Sequence, residues 1–267
     1  MEYELTIFIL SGTAGTLVMA GFIIYFVISY QKKSFDAQLR FEQLKTRAEK
    51  EATLASFRGQ ENERQRIAKD LHDDIGASLT AIKMSMSFLG DKFKKNKALH
   101  EELMEIRDTL TLSIDGIRAI SHNLMPYALT NLGISRSVEQ LVNRVANPPH
   151  YKTTFHTSGA SVRLNEEVRL MLFRSIQEII HNSIKHSRAA LLKVNFTWEK
   201  DQLSIRIEDN GCGFNYEKTL NNVNSGIGLK NLESRFRIIG VTHHVKSDEN
   251  GTGYHIILPL NSNTISL

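Results

Sequence analysis

One cysteine, Cys212, in a chain of 267 residues cannot close an intramolecular disulfide, which excludes a disulfide-stapled scaffold and agrees with a reducing compartment. Charge of one sign is also scarce: 33 Lys and Arg against 29 Asp and Glu leave a net charge of +4. No basic stripe interleaved with aromatics runs along the chain, so direct nucleic acid binding is not expected. No internal repeat or long low-complexity tract occurs beyond a short polar loop with Asn221, Asn222 and Asn224. The length gives room for roughly two compact domains and excludes a large multi-domain receptor, while a hydrophobic content of 41% is enough for real cores.

What is present begins with an apolar run. Leu5 to Tyr30 is 26 residues without a charge, longer at ~1.5 Å per residue than the ~30 Å hydrocarbon core of a bilayer. It reads as a single transmembrane helix rather than a cleaved signal peptide, because the chain opens with Glu2 and Glu4 and offers no small-residue cleavage site before Gln31. Lys32, Lys33, Arg40, Lys45, Arg47 and Lys50 follow the run and no Lys or Arg precedes it. This asymmetry predicts a single-pass protein of the inner (cytoplasmic) membrane, with residues 1–4 as an extracytoplasmic tail and the remainder in the cytoplasm.

Residues 31–60 are rich in Glu, Lys, Arg, Gln and Ala over a patchy apolar stripe, which reads as a signalling helix or weak coiled coil. Ile67, Leu71, Ile75, Leu79, Ile82, Met86 and Leu89 then recur at three- and four-residue steps, the spacing of a helix with one buried face. A second such pattern, Leu99, Leu103, Ile106, Leu110, Ile114, Ile117 and Leu124, follows a polar break and is stopped by Pro126. The two form a helical hairpin over 61–127. A lone hairpin would leave its stripe in water, so two copies packed as a four-helix bundle, and hence a homodimer, are expected. His72, with Asp73 beside it, sits one residue past a buried position, at the edge of the packed seam where a large substrate can reach it.

From residue 128 to 262 the pattern is mixed α/β, with helices near Ile134–Val145, Asn165–Lys185 and Gly228–Ile239 and strands near Lys152–Thr157, Leu191–Trp198, Gln202–Glu208, Val241–Ser247 and Tyr254–Pro259. Residues 263–267 form a tail. Glu178 and Asn182 are four residues apart on one helix face. The Asn182 amide oxygen is a suitable hard ligand for Mg²⁺, and Lys185 adds charge for phosphates. Asp209, Gly211 and Gly213 follow at a strand end, then Gly226 and Gly228 open a helix. Glycines let backbone approach a ligand closely, and a helix start offers free N–H groups to phosphate.

These motifs, from Glu61 to Leu260, resemble those of the bacterial sensor histidine kinases, within them the subfamily whose partners are response regulators with LuxR/NarL-type DNA-binding domains. The resemblance implies an α+β protein with a four-helix-bundle dimerisation domain and a C-terminal α/β sandwich ATPase domain of the histidine kinase/gyrase/Hsp90 type. It makes His72 the phosphoacceptor and Asn182 with Glu178 the N box. Asp209, Gly211 and Gly213 become the first glycine box, with Asp209 on the adenine amino group, and Gly226 and Gly228 the second. Thr252 supports the adenine, and Asn215 to Ser225 resembles the ATP lid.

The implied cofactors are ATP and Mg²⁺, and the implied chemistry is attack of His72 on the γ-phosphorus, with Asp73 holding the imidazole tautomer and Glu178 among the catalytic groups. The phosphoryl group then passes to an aspartate of the response regulator. Where the family often has a glutamine five residues after the histidine this chain has Ala77, so it is expected to act mainly as a kinase. With almost no mass outside the membrane, the stimulus is expected to be a membrane property or a second membrane protein. The rival readings are a kinase-like ATP-binding scaffold without phosphotransfer and another ATPase of the gyrase/Hsp90/MutL superfamily. The pairing of His72 with Asp73 on a hairpin argues against both.

Overall fold

The structure is a computed structural model that describes residues 2–125, 127–146, 151–221 and 227–266. It divides into two units, Met1–Phe57 and Arg58–Leu267. The first is helical throughout its described length, as the leading part of helix α1 (Glu2–Asp70). The reading of Leu5 to Tyr30 as a transmembrane helix is corrected here, and with it the membrane anchorage and the inner-membrane location. Among the described residues no helix is long and apolar enough to cross a membrane. Much of the run falls on residues whose side chains lie outside the described ones.

In the second unit α1 ends at Asp70 and passes into a π-helical turn, Leu71–Gly76, before continuing as α2 (Ala77–Lys92). The sequence pattern predicts unbroken α-helix here. Its three successive four-residue steps, Ile67, Leu71, Ile75 and Leu79, are the trace of the wider turn, because a strict 3.6-residue period demands an occasional step of three. A break at residues 93–96 reverses the chain. Asn96 accepts from Leu99 N at 3.3 Å to cap α3 (Lys97–Leu124), which lies back along α2. Gly90 is buried where the hairpin is tightest, with its carbonyl hydrogen-bonded to His100 Nδ1 at 2.8 Å.

The mixed α/β region is a two-layer sandwich. Its sheet has the order β1-β2-β3-β5-β4, built from β1 (Lys152–Ser158), β2 (Leu191–Trp198), β3 (Gln202–Asp209), β4 (Thr242–Asp248) and β5 (Gly251–Pro259). The β1–β2 pair is parallel and the other pairs are antiparallel. Alternation aims Leu192, Val194 and Phe196, then Leu203, Ile205 and Ile207, then Ile256 and Leu258 at the helices, each with at most 1% exposure. Helix α4 (Tyr127–Val145) and α5 (Glu166–His186) supply the second layer, as does α7 (Ile227–Ile239), which follows the short α6 (Tyr216–Asn221). Gly133, at φ 76°, kinks α4 in a conformation that favours glycine, so the regular helix starts at Ile134. Helix α5 is capped by Asn165, which accepts from Glu167 N, and carries Glu166 and Glu167 at its start and Lys185 and His186 at its end, both matched to the helix dipole.

Candidate functional site

Buried Val168, Leu172, Ile176 and Ile179–Ile180 hold α5 on the sheet, and that packing turns Glu178, Asn182 and Lys185 toward a cavity of about 670 Å³. Its other walls come from the end of β3, the loop that follows, the start of α7 and the start of β5. Seven residues singled out in the sequence line it: Glu178, Asn182, Lys185, Asp209, Gly213, Gly228 and Thr252. Gly211 lies behind the wall, and Gly226 is outside the described residues.

Asp209 is fixed by its own loop. Its Oδ1 accepts from Gly211 N at 3.0 Å and from Thr252 N at 3.4 Å, while Oδ2 has no partner among the described residues. Asn210 ties the loop back, accepting at Oδ1 from Ala190 N and Leu191 N at 3.0 and 2.8 Å. The glycines here answer to neighbouring chain rather than to a ligand. A Cβ on Gly211 would stand 2.2 Å from Ser187 O, and one on Gly213 2.2 Å from Asp248 O. Gly228 differs, for its Cβ would stand 2.1 Å from Glu178 Oε1, placing that carboxylate against the first turn of α7.

Thr252 is buried and shares a hydrogen bond of 2.9 Å with Ser247 Oγ, which also accepts from Phe214 N at 2.8 Å. Phe214 and Tyr254 line the cavity beside it, and Tyr216 stands edge-on to Tyr254 with centroids 6.3 Å apart. Burial raises the Tyr254 and Tyr216 hydroxyls above the ordinary tyrosine range, and Tyr216 donates to Glu233, which also pairs with His243 Nε2 at 2.8 Å. The sequence reading missed this aromatic wall. Tyr254 had a signal, since it shares a strand face with Thr252 two residues before it; Glu233 and His243, brought to Tyr216 only by the fold, had none.

His72 and Asp73 lie elsewhere, on the π turn, where none of the six residues is buried. Their side chains are 68% and 56% exposed, with His72 Nδ1 3.1 Å from Asp73 Oδ1. No residue of the hairpin lines the cavity, so the structure gathers the nucleotide-type residues together and leaves this pair outside them.

Residues 63–129 match the family model described as histidine kinase, and residues 167–262 match that of the histidine kinase-, DNA gyrase B-, and HSP90-like ATPases. The chain is 30% identical over 207 residues to the sensor histidine kinase MctS of Rhizobium johnstonii, covering 76% of this chain and 44% of that protein. It is 31% identical over 202 residues to the sensor protein VraS of Staphylococcus aureus, covering 75% and 56%. It thus spans about half the length of the curated relatives it matches. The histidine kinase domain of the blue-light activated kinase of Erythrobacter litoralis EL346 aligns over 68% of this chain and 96% of that one, with 15% identity and a TM-score of 0.43.

A domain of this ATPase type implies ATP with Mg²⁺, and the donor set fits. The half-buried Asn182 amide lines the cavity and has no hydrogen-bond partner among the described residues, which leaves its oxygen for a hard cation. No three His, Cys, Asp or Glu side chains cluster among the described residues.

Proposed function

We propose that this chain, which belongs to the histidine kinase family, phosphorylates its own His72 from MgATP and passes the phosphoryl group to an aspartate of a response regulator of the LuxR/NarL type. The observation that carries this reading is the pairing, in one chain, of a cavity walled by Asn182, Asp209 and Thr252 with an exposed His72–Asp73 pair on a separate hairpin.

Asn182 and Lys185 face the phosphates, and the free Oδ2 of Asp209 accepts from the adenine amino group, with Thr252 N and Gly211 N fixing the carboxylate that does so. Mg²⁺ held by Asn182 would neutralise charge on the phosphate oxygens. With Nδ1–H donating to Asp73 Oδ1, the lone pair sits on Nε2 of His72 and faces solvent. Nε2 forms the bond to the γ-phosphorus as the bond from that phosphorus to the β–γ bridging oxygen breaks, and ADP leaves. Asp73 stabilises the imidazolium as it forms, help worth roughly 10²- to 10⁴-fold. Glu178, against the first turn of α7, is the carboxylate at the phosphate end of the cavity.

A second copy completes the hairpin. Ile75, Ile82, Phe88, Ile106 and Leu112 are 45%, 44%, 70%, 48% and 75% exposed in the single chain, a surface that a homodimeric four-helix bundle covers.

The test is incubation of the full chain with γ-labelled ATP. An acid-labile, base-stable label is expected on the parent, and His72→Gln is expected to abolish it while still binding ATP. Undiminished labelling of that variant overturns the assignment of His72.

A further inference from the structure

The sheet has a second face, turned away from the helices, and nothing in the functional reading uses it. Because Leu203, Ile205 and Ile207 of β3 and Ile256 and Leu258 of β5 are aimed at the helices, the residues between them point outward. Register then sets Arg206 of β3, His255 of β5 and His244 of β4 side by side in one row across three strands. Side chains directly opposite on antiparallel strands have Cβ atoms about 4.5–5.5 Å apart, so the row is roughly 10 Å wide. The next row is Glu208, Gly253 and Lys246. The glycine at its centre helps to leave a hollow of about 500 Å³, room for a small molecule. A Cβ on Gly253 would meet only ordinary contacts, 3.7 Å from Glu208 Cγ and 3.9 Å from Lys246 O, so close packing is not what keeps the position empty.

The donors around this hollow are uncommitted. Arg206 and His244 are exposed and have no side-chain partner among the described residues. His255 is half-buried, and the contact of its Nε2 with Ser204 Oγ at 2.9 Å leaves Nδ1 without a partner among the described residues. Groups of like charge set directly opposite one another on a sheet destabilise it, and this row sets a guanidinium beside two imidazoles with no carboxylate among them. The chain itself gains nothing from that arrangement. An oxyanion seated over the row turns the same groups into donors of charge-assisted hydrogen bonds. Two carboxylates also line the hollow. Asp248 is taken up locally, for its Oδ1 accepts from Asn250 N at 2.9 Å and its Oδ2 lies 3.7 Å from Lys246 Nζ. Glu208 has no side-chain partner among the described residues, and it stands in the row beside the donors, where it repels a second oxyanion and accepts from a hydroxyl or amino group.

We propose that this hollow on the outer face of the sheet is a binding site for a small molecule carrying one phosphate group, held by Arg206, His244 and His255, with Glu208 turned to the rest of the ligand. The planar fork of Arg206 matches phosphate oxygens two at a time. The site goes beyond the functional reading and does not depend on it. Asp209, Thr252 and Tyr254 line both this hollow and the cavity beside α5. The two therefore share a wall at the end of β3 and the start of β5, and a ligand in one abuts the residues that shape the other.

The test follows the ring C–H signals of the histidines by NMR in the full chain as inorganic phosphate replaces chloride at constant ionic strength. His244 and His255 are expected to shift along one saturating curve, separate from any shift of His181 and His186, which line the cavity beside α5. Arg206→Gln is expected to weaken this response about tenfold, and Glu208→Gln to strengthen it about threefold by removing a repelling carboxylate. Asn182→Ala is expected to leave it unchanged. Arg206 and Glu208 are exposed, so both variants keep the fold, which thermal unfolding checks. No saturable shift at His244 and His255, or an undiminished one in Arg206→Gln, overturns the site. So does a response that follows His181 and His186 and disappears in Asn182→Ala, since the phosphate then sits in the other cavity. If the chain proves not to bind ATP, the functional reading fails while the signals of His244 and His255 still decide this site.

Discussion

The hairpin and the sandwich place their reactive groups by opposite means. In the sandwich a closed core comes first: Val194, Phe196, Leu203, Ile205, Ile256 and Leu258 have no exposure at all, and the cavity residues hang from elements that cannot shift without opening that core. Asp209 is held by two backbone N–H groups and Thr252 by a hydroxyl chain. In the hairpin the order reverses. Among the described residues His72 is held only by the residue next to it, on a turn with no buried member, and the apolar side chains around it stand open. On the proposed function, the group that would meet a nucleotide and then a second protein is left accessible, whereas the groups that would recognise one nucleotide are fixed.

That contrast breaks most sharply under truncation. Phe196→Ala, which empties a site against the Phe155 ring, is expected to cost about 3–5 kcal/mol of sandwich stability. Phe88→Ala, on a residue 70% exposed, is expected to cost under about 0.5 kcal/mol within one chain and to act on dimerisation. Thermal unfolding and sedimentation together check both. Equal destabilisation would erase the distinction.

The cavity itself gives the next test. Asn182→Ala is expected to weaken Mg²⁺-dependent ATP binding about tenfold or more, and Asp209→Asn to erode preference for ATP over GTP by a similar factor. Titration calorimetry with and without Mg²⁺ separates the two. If both variants bind MgATP like the parent, the cavity is not the nucleotide site.

Much of this region was legible beforehand. The strands alternate cleanly because one sheet face is buried, so Leu191–Trp198 has the bounds that its pattern dictates, and the polar face of α5 was marked by Glu178, Asn182 and Lys185 among apolar residues. The buried Arg174–Glu61 ion pair was not legible, since its members are 113 residues apart and each looks like a solvated charge in its own helix. The π turn was hidden by treating a run of four-residue steps as ordinary helix. The apolar run at Leu5 to Tyr30 misled in the other direction, because composition and length alone decided the membrane reading.

A smaller effect is expected from alkali. Burial raises the hydroxyls of Tyr151, Tyr216 and Tyr254 above the ordinary value of 10.0. The unfolded chain ionises these groups first, so their contribution to stability is intact below about pH 10 and is lost as pH rises beyond it. All three belong to the sandwich, which should therefore unfold in alkali before the hairpin does. Tyr254→Phe is expected to flatten the alkaline limb of a denaturant midpoint against pH. Simultaneous loss of both regions with an unchanged limb would count against this account.

The smallest effect concerns Ala77, the first residue of α2, directly after the π turn. Its methyl group has no amide with which to position water, so the parent is expected to leave a phosphorylated regulator nearly untouched. Ala77→Gln is expected to hasten the decay by roughly threefold, about 0.7 kcal/mol. Rapid decay with the parent, unchanged by the glutamine, would remove Ala77 from the account.

The π turn also acts as a phase slip. Each of its hydrogen-bonded loops takes in one residue more than an α turn, so the helix before Leu71 is offset by about 100° from the phase it would share with α2 in unbroken α-helix. His72 rides in this π-helical segment, so any change in the winding of the turn re-aims its side chain.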